Sequence, residues 1–240
     1  VSFLFVAVQA MSVLLALSSC GAHDSQLKEN RDPIVTLVLG SQLDPELTAG
    51  PGAGVWNSEP KSFENRIIAE SALKFLATGE ARRQWGDEAA GTFHHYFENN
   101  GRDYKINVSK MLKEVPSLQE KYEACLALID ELAAPLADGE YMFTTKEAGA
   151  GAVSRQESEN WYLAVAGYRF WIKGTIAVVD GTASIAPTFN IWDRYDWDPG
   201  VKIPIDTPLG RIIIDQERVG EFHRQGLAKE FNSFGTDNAL

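Results

Sequence analysis

The apolar positions of this chain change their rhythm several times, and each change predicts a different element. From Val1 to Leu17 the run is uncharged and mostly apolar. It then gives way to a stretch with no period, rich in turn formers such as Gly50-Pro51-Gly52-Ala53-Gly54, with one β-like run over 34–39. From residue 62 the apolar residues fall at helical spacing: Phe63, Ile67, Ala72 and Leu76 after a capping Ser62, with Gly79 as the stop. A second helix is expected over 87–99, ended by Gly101. A third is expected from the capping box Ser117-Leu118-Gln119-Glu120 to Pro135, with Leu118, Tyr122, Cys125, Ile129 and Leu132 on one stripe.

After Gly149-Ala150-Gly151 the texture becomes aromatic and β-branched. Strands are expected over 161–170, 171–179 and 183–192. Asp180-Gly181 supplies a type I′ hairpin turn, whose two central residues take positive φ. A further strand carrying Ile212-Ile213-Ile214 follows a loop with Pro204 and Pro208. Asp215 then caps a final helix reaching about 231, with Val219, Phe222, Gly226 and Leu227 inward. Glu217, Arg218, Glu221, Lys229 and Glu230 make its wet side. Helices first, then an antiparallel sheet with a C-terminal helix packed on it, is an α+β domain. The expected division is a signal peptide over 1–19, a tether over 20–61 and one domain over 62–240. Its helical half is 62–135, and its sheet plus helix 140–235.

Charge narrows the function classes. The net charge is −11, which sets the chain against nucleic acid, whose phosphates require compensating cations. Cys125 lies in an apolar helical stripe and reads as a buried, inert thiol. His94 and His95 lack metal-ligand spacing and read as helix surface, so neither a metal nor a cofactor is expected.

The candidate chemistry gathers in Asp193-Arg194-Tyr195-Asp196-Trp197-Asp198, where a strand runs into the Pro199-Gly200 turn. Alternation puts Phe189, Ile191, Asp193 and Tyr195 on one face, and Asn190, Trp192, Arg194 and Asp196 on the other. With the first set inward, Asp193 needs a partner or a proton, and His223 and Arg224 on the last helix are the expected partners. Two readings follow. In one, Asp193, Asp196, His223 and Arg224 form a catalytic set in which His223 is the base and Arg224 holds an anion. In the other, Asp193 and His223 are a buried pair that locks helix to sheet. Tyr195 and Trp197 are candidate ligand contacts. Trp161, Tyr162, Phe170, Trp171 and Trp192 read as sheet core and rim, with ligand stacking as the alternative.

Two resemblances add context. Leu17-Ser18-Ser19-Cys20, followed by Gly21 and preceded by the apolar run, resembles the lipobox of bacterial lipoprotein precursors. It implies cleavage before Cys20, lipid on its thiol and a place in the cell envelope. That place is the outer membrane in a Gram-negative cell, or the outer face of the plasma membrane in a Gram-positive one. A single acyl chain holds a protein only marginally, so two or three are implied.

The runs Asn160-Trp161-Tyr162-Leu163-Ala164-Val165-Ala166-Gly167-Tyr168, Trp192-Asp193-Arg194-Tyr195-Asp196-Trp197-Asp198 and Gly220-Glu221-Phe222-His223-Arg224-Gln225-Gly226-Leu227-Ala228-Lys229-Glu230-Phe231 resemble C-terminal domains of secreted bacterial polymorphic toxins. Asp193-Arg194-Tyr195-Asp196 with His223-Arg224 is similar, more loosely, to colicin M-type enzymes. Those enzymes cleave the lipid-linked peptidoglycan precursor at its pyrophosphate. The chain is therefore expected to be an envelope-anchored lipoprotein with a toxin-like or interaction domain, or alternatively a hydrolase of a phosphorylated or lipid-linked envelope substrate. Expected partners are the membrane, through the lipid on Cys20, and an envelope protein, a glycan bound by the aromatic sheet, or an immunity protein.

Overall fold

A computed structural model describes residues 35–200, 202–207 and 210–237; the lipobox and Cys20 lie outside them. In chain order the elements are β1 (Leu37–Leu39), α1 (Phe63–Ala77), α2 (Glu80–Trp85), α3 (Asp87–Phe97), β2 (Tyr104–Lys105), α4 (Val108–Glu114), α5 (Pro116–Ala133), β3 (Gly139–Thr145), β4 (Gly149–Ala152), α6 (Glu159–Ala164), β5 (Gly167–Val179), β6 (Thr182–Tyr195), β7 (Lys202–Thr207), β8 (Gly210–Asp215), α7 (Gln216–Arg224) and β9 (Phe231–Asp237). The fold is α+β. A seven-stranded sheet runs β1-β3-β5-β6-β9-β2, with β4 also paired to β5, and β7 and β8 form a separate two-stranded ribbon. Every pairing is antiparallel except β2 with β9. Among the described residues no helix is long and apolar enough to cross a membrane.

Several local signals act as expected. Ser62 caps α1 by accepting from the Asn65 amide, and Asp215 caps α7 by accepting from Glu217. Asp180 and Gly181 take φ of 51° and 72° and close the β5–β6 hairpin. The inner face of the sheet buries Phe143, Phe170, Ile172, Phe189 and Ile191 against the Leu118, Cys125 and Ile129 stripe of α5. Each such side chain contributes about 1.5–3 kcal/mol. A second core joins α1–α3 and α7 to Tyr195, Trp197 and Phe231.

Five expectations need correction. The Ser117–Glu120 box is not made: α5 starts one residue earlier, at Pro116. The Ser117 amide and hydroxyl instead bond the Glu157 carboxylate, at 2.5 and 3.0 Å. Residues 161–164 are helical rather than strand, because Ser158 caps α6 and Asn160 turns its side chain to the bare N-terminus of α3, accepting from Glu88 and Ala89. Pro204 lies in a strand, β7, not a loop.

The last helix ends at Arg224, not near 231. Gly226 takes φ +63°, its amide bonds the His223 carbonyl and Leu227 reaches back to Phe222, which is a Schellman stop. The chain then enters the sheet as β9, between β6 and β2. Finally, residues 35–61 are not a free tether where described. β1 pairs β3, Trp56 bonds Asn99, and the Asn57 and Glu59 amides bond the carbonyls of His223 and Arg224.

Candidate functional site

Alternation along β6 holds. Phe189, Ile191 and Tyr195 are fully buried, and Trp192 and Arg194 are half-buried on the opposite face. The expected catalytic residues do not converge. Asp193 faces Ser233 across the β6–β9 ladder, and neither Asp193 Oδ2 nor the Ser233 hydroxyl has a hydrogen-bond partner among the described residues. Burial, with the nearby Asp196 charge, pushes the Asp193 carboxyl well above the usual carboxylate range.

His223 does not pair with Asp193. It is 4% exposed; its Nδ1 accepts from the Glu230 amide at 3.0 Å and its Nε2 lies 3.1 Å from the Gly54 carbonyl. Burial lowers its pKa further. Arg224 is committed as well, to Glu217 at 2.6 Å, to Glu59 at 2.7 Å and to the Ala53 carbonyl. Together His223 and Arg224 clamp the segment 53–59 onto α7. Tyr195 and Trp197 are fully buried, with Tyr195 stacked on Phe231 at 4.8 Å, so neither ring is presented to a ligand.

Glu230, expected on a wet helix face, is instead a buried hub. Its Oε1 accepts from the amides of Ala53 and Trp197 at 2.8 and 3.0 Å, and its Oε2 lies 3.8 Å from Arg194. Burial raises its pKa. Asp196, beside it, is pushed up to about 7 by burial and then by the Glu230 and Asp198 charges. Gly52 lies against the Glu230 carboxylate with φ +56°, where a side chain would have no room. Burial also pushes the Cys125 thiol up to about 12, which leaves it inert.

The open ground lies on the outer face of the same strands. A hollow of about 450 Å³ runs over β5, β6 and β9. Its floor carries Trp192 and the 44%-exposed Phe234, which are directly paired across the ladder. Around these rings stand planar amides and hydroxyls: Asn190 accepts from Thr236, and Asn232 holds Arg194 on one side and Asp103 on the other. The segment over 44–47 walls one side. Asp44 accepts from both Trp171 Nε1 and Lys173 at 2.7 Å, and Leu47 lines the hollow. A second hollow of about 350 Å³, lined by Lys105, Asn107 and Ser109, meets the first at Thr236.

Sequence reasoning named Trp171 and Trp192 as alternatives for stacking. It missed Phe234, Asn232 and Thr236 because the last helix was expected to run to about 231 and no strand was expected after it. The alternation Phe231, Ser233, Gly235 inward and Asn232, Phe234, Thr236 outward is the signal that marks the strand. Compared with known proteins, the chain matches no family model, no curated protein and no solved structure.

Proposed function

We propose that this chain is an envelope-anchored binding module whose outer sheet face takes a saccharide. The observation that carries the reading is the Trp192–Phe234 pair on the floor of an open hollow ringed by Asn190, Asn232, Thr188 and Thr236. A sugar ring is apolar on its faces and hydroxylated at its edges. Aromatic side chains meet the first, and amides and hydroxyls set close beside them meet the second. The rigid sheet holds these groups in place, which lowers the ordering cost of binding. Envelope placement rests on the lipobox-like Leu17-Ser18-Ser19-Cys20 run.

The hydrolase alternative finds less support. General-base chemistry needs a ring nitrogen free to take a proton, whereas both nitrogens of His223 are engaged within the fold and Arg224 is fully ion-paired.

The test is calorimetric titration of the full chain with oligosaccharides. Trp192→Ala lowers affinity at least tenfold, the scale of a lost stacking platform, while His223→Gln retains binding. Equal affinity in Trp192→Ala overturns the reading. For the anchor, palmitate labelling is lost in Cys20→Ser.

A further inference from the structure

The strand register places four residues in one line across the outer face. Arg169 on β5 pairs with Trp192 on β6, Trp192 with Phe234 on β9, and Phe234 with Lys105 on β2. The two aromatic residues occupy the middle and the two cations the ends. Strands lie about 4.8 Å apart, so three spacings separate Arg169 from Lys105 by about 14 Å.

Both cations are exposed, and neither makes a hydrogen bond or ion pair among the described residues. The other cations on this face are neutralised. Lys173 binds Asp44 at 2.7 Å, and Arg194 lies between Asn232 and Glu230. The nearby Asp103 carboxylate accepts from Asn232. In a chain of net charge −11, the row is a local reversal of sign laid across the ligand face. Lys105 also lines the second hollow, which extends the path beyond Thr236.

Resting on the saccharide reading, the geometry points to an acidic oligosaccharide as the ligand, lying across the strands with its sugar rings on Trp192 and Phe234 and its carboxylates at Arg169 and Lys105. Oppositely charged groups at both ends of an aromatic floor attract such a chain and set its direction across the sheet. A monosaccharide seated on one ring does not reach both cations. The amide- and hydroxyl-lined walls, placed to meet ring hydroxyls, favour a saccharide over a nucleic acid strand.

The experiment titrates the full chain with hexamers of galacturonate, alginate and hyaluronate, each against its neutral methyl ester, and with a thymidine oligonucleotide. At least one acidic hexamer is expected to bind more tightly than its ester. Arg169→Gln and Lys105→Gln each lower that affinity by a factor of roughly five, multiplying in the double variant, and added salt weakens it. Both sites are exposed, so folding is retained. An ester that binds as well as its acid, or a double variant that binds like wild type, overturns the inference and leaves the saccharide reading standing. No binding to any of the six sugars overturns both. Tighter binding of the oligonucleotide assigns the row to nucleic acid instead.

Discussion

The backbone amide of Glu230 donates to Nδ1 of His223 at 3.0 Å, and that bond sets the state of the imidazole. An amide can only donate, so Nδ1 carries no proton. The proton therefore sits on Nε2 and goes to the Gly54 carbonyl at 3.1 Å. His223 is thus a neutral fastener between α7, the entry to β9 and the segment above them.

This gives a first prediction. Burial lowers the folded pKa of His223, so nitrogen NMR shows the Nε2–H tautomer persisting below the ordinary histidine value of about 6.5. The lowered pKa makes its contribution to stability fully present above that value and lost as pH falls through the depressed one. His223→Ala costs roughly 2–4 kcal/mol, since it opens a cavity and strands the Glu230 amide. A ring that titrates at or above 6.5 contradicts the assignment.

The carboxyls act in the opposite direction. Asp193, Asp196 and Glu230 all have raised pKa values, Asp196 to about 7. Between the unfolded carboxylate range and these values the folded chain binds more protons than the unfolded one, so stability falls as pH rises from about 4 toward 7. Three carboxyls outweigh one histidine. Denaturation midpoints are therefore higher at pH 5 than at pH 8, and Asp196→Asn reduces the difference by about 1 kcal/mol or more. A midpoint that rises toward pH 8 in wild type contradicts the buried acidic cluster.

Gly226 closes α7 with φ +63°, and a Cβ there meets the Asn57 side chain. Gly226→Ala combines backbone strain with that clash and is expected to cost about 1–3 kcal/mol by chemical denaturation. Gly181→Ala, also at positive φ but in open space, bears the strain alone and costs less. Equal costs mean that the Asn57 contact carries no energy.

The unequal legibility of the sequence has a physical basis. Ser62, Asp215 and the Asp180-Gly181 turn act within a few residues of themselves, and each was readable. The β6 alternation correctly separated Asp193 from Trp192 and Arg194, because period two needs no knowledge of the partner strands. What escaped depends on distant partners. Ser117 has a local glutamate at the right spacing, yet Glu157 takes its place from a remote loop. Glu230 looks solvated in sequence and becomes a hub only when Trp197 from the end of β6 and the distant Ala53 both bring their amides to it. Arg169 and Lys105 are ordinary charges until the register of four strands sets them in line with Trp192 and Phe234.

Arg224 bonds the segment 53–59 at both ends, at the Ala53 carbonyl and the Glu59 carboxylate, and is held in place by Glu217 of its own helix. Arg224→Gln is expected to speed amide hydrogen exchange over 53–59 while leaving β5 and β6 protected, since these strands form the core of the sheet. Unchanged exchange in 53–59 shows that the ion pairs with Glu59 and Glu217 are dispensable for holding the segment.

The most direct measurement of the central claim is amide hydrogen exchange of the full chain with and without a saturating oligosaccharide. The account predicts added protection over 188–194 and 232–236, with a weaker effect at 44–47. Protection centred on α7 around His223 and Arg224, with the Trp192–Phe234 floor unchanged, contradicts it.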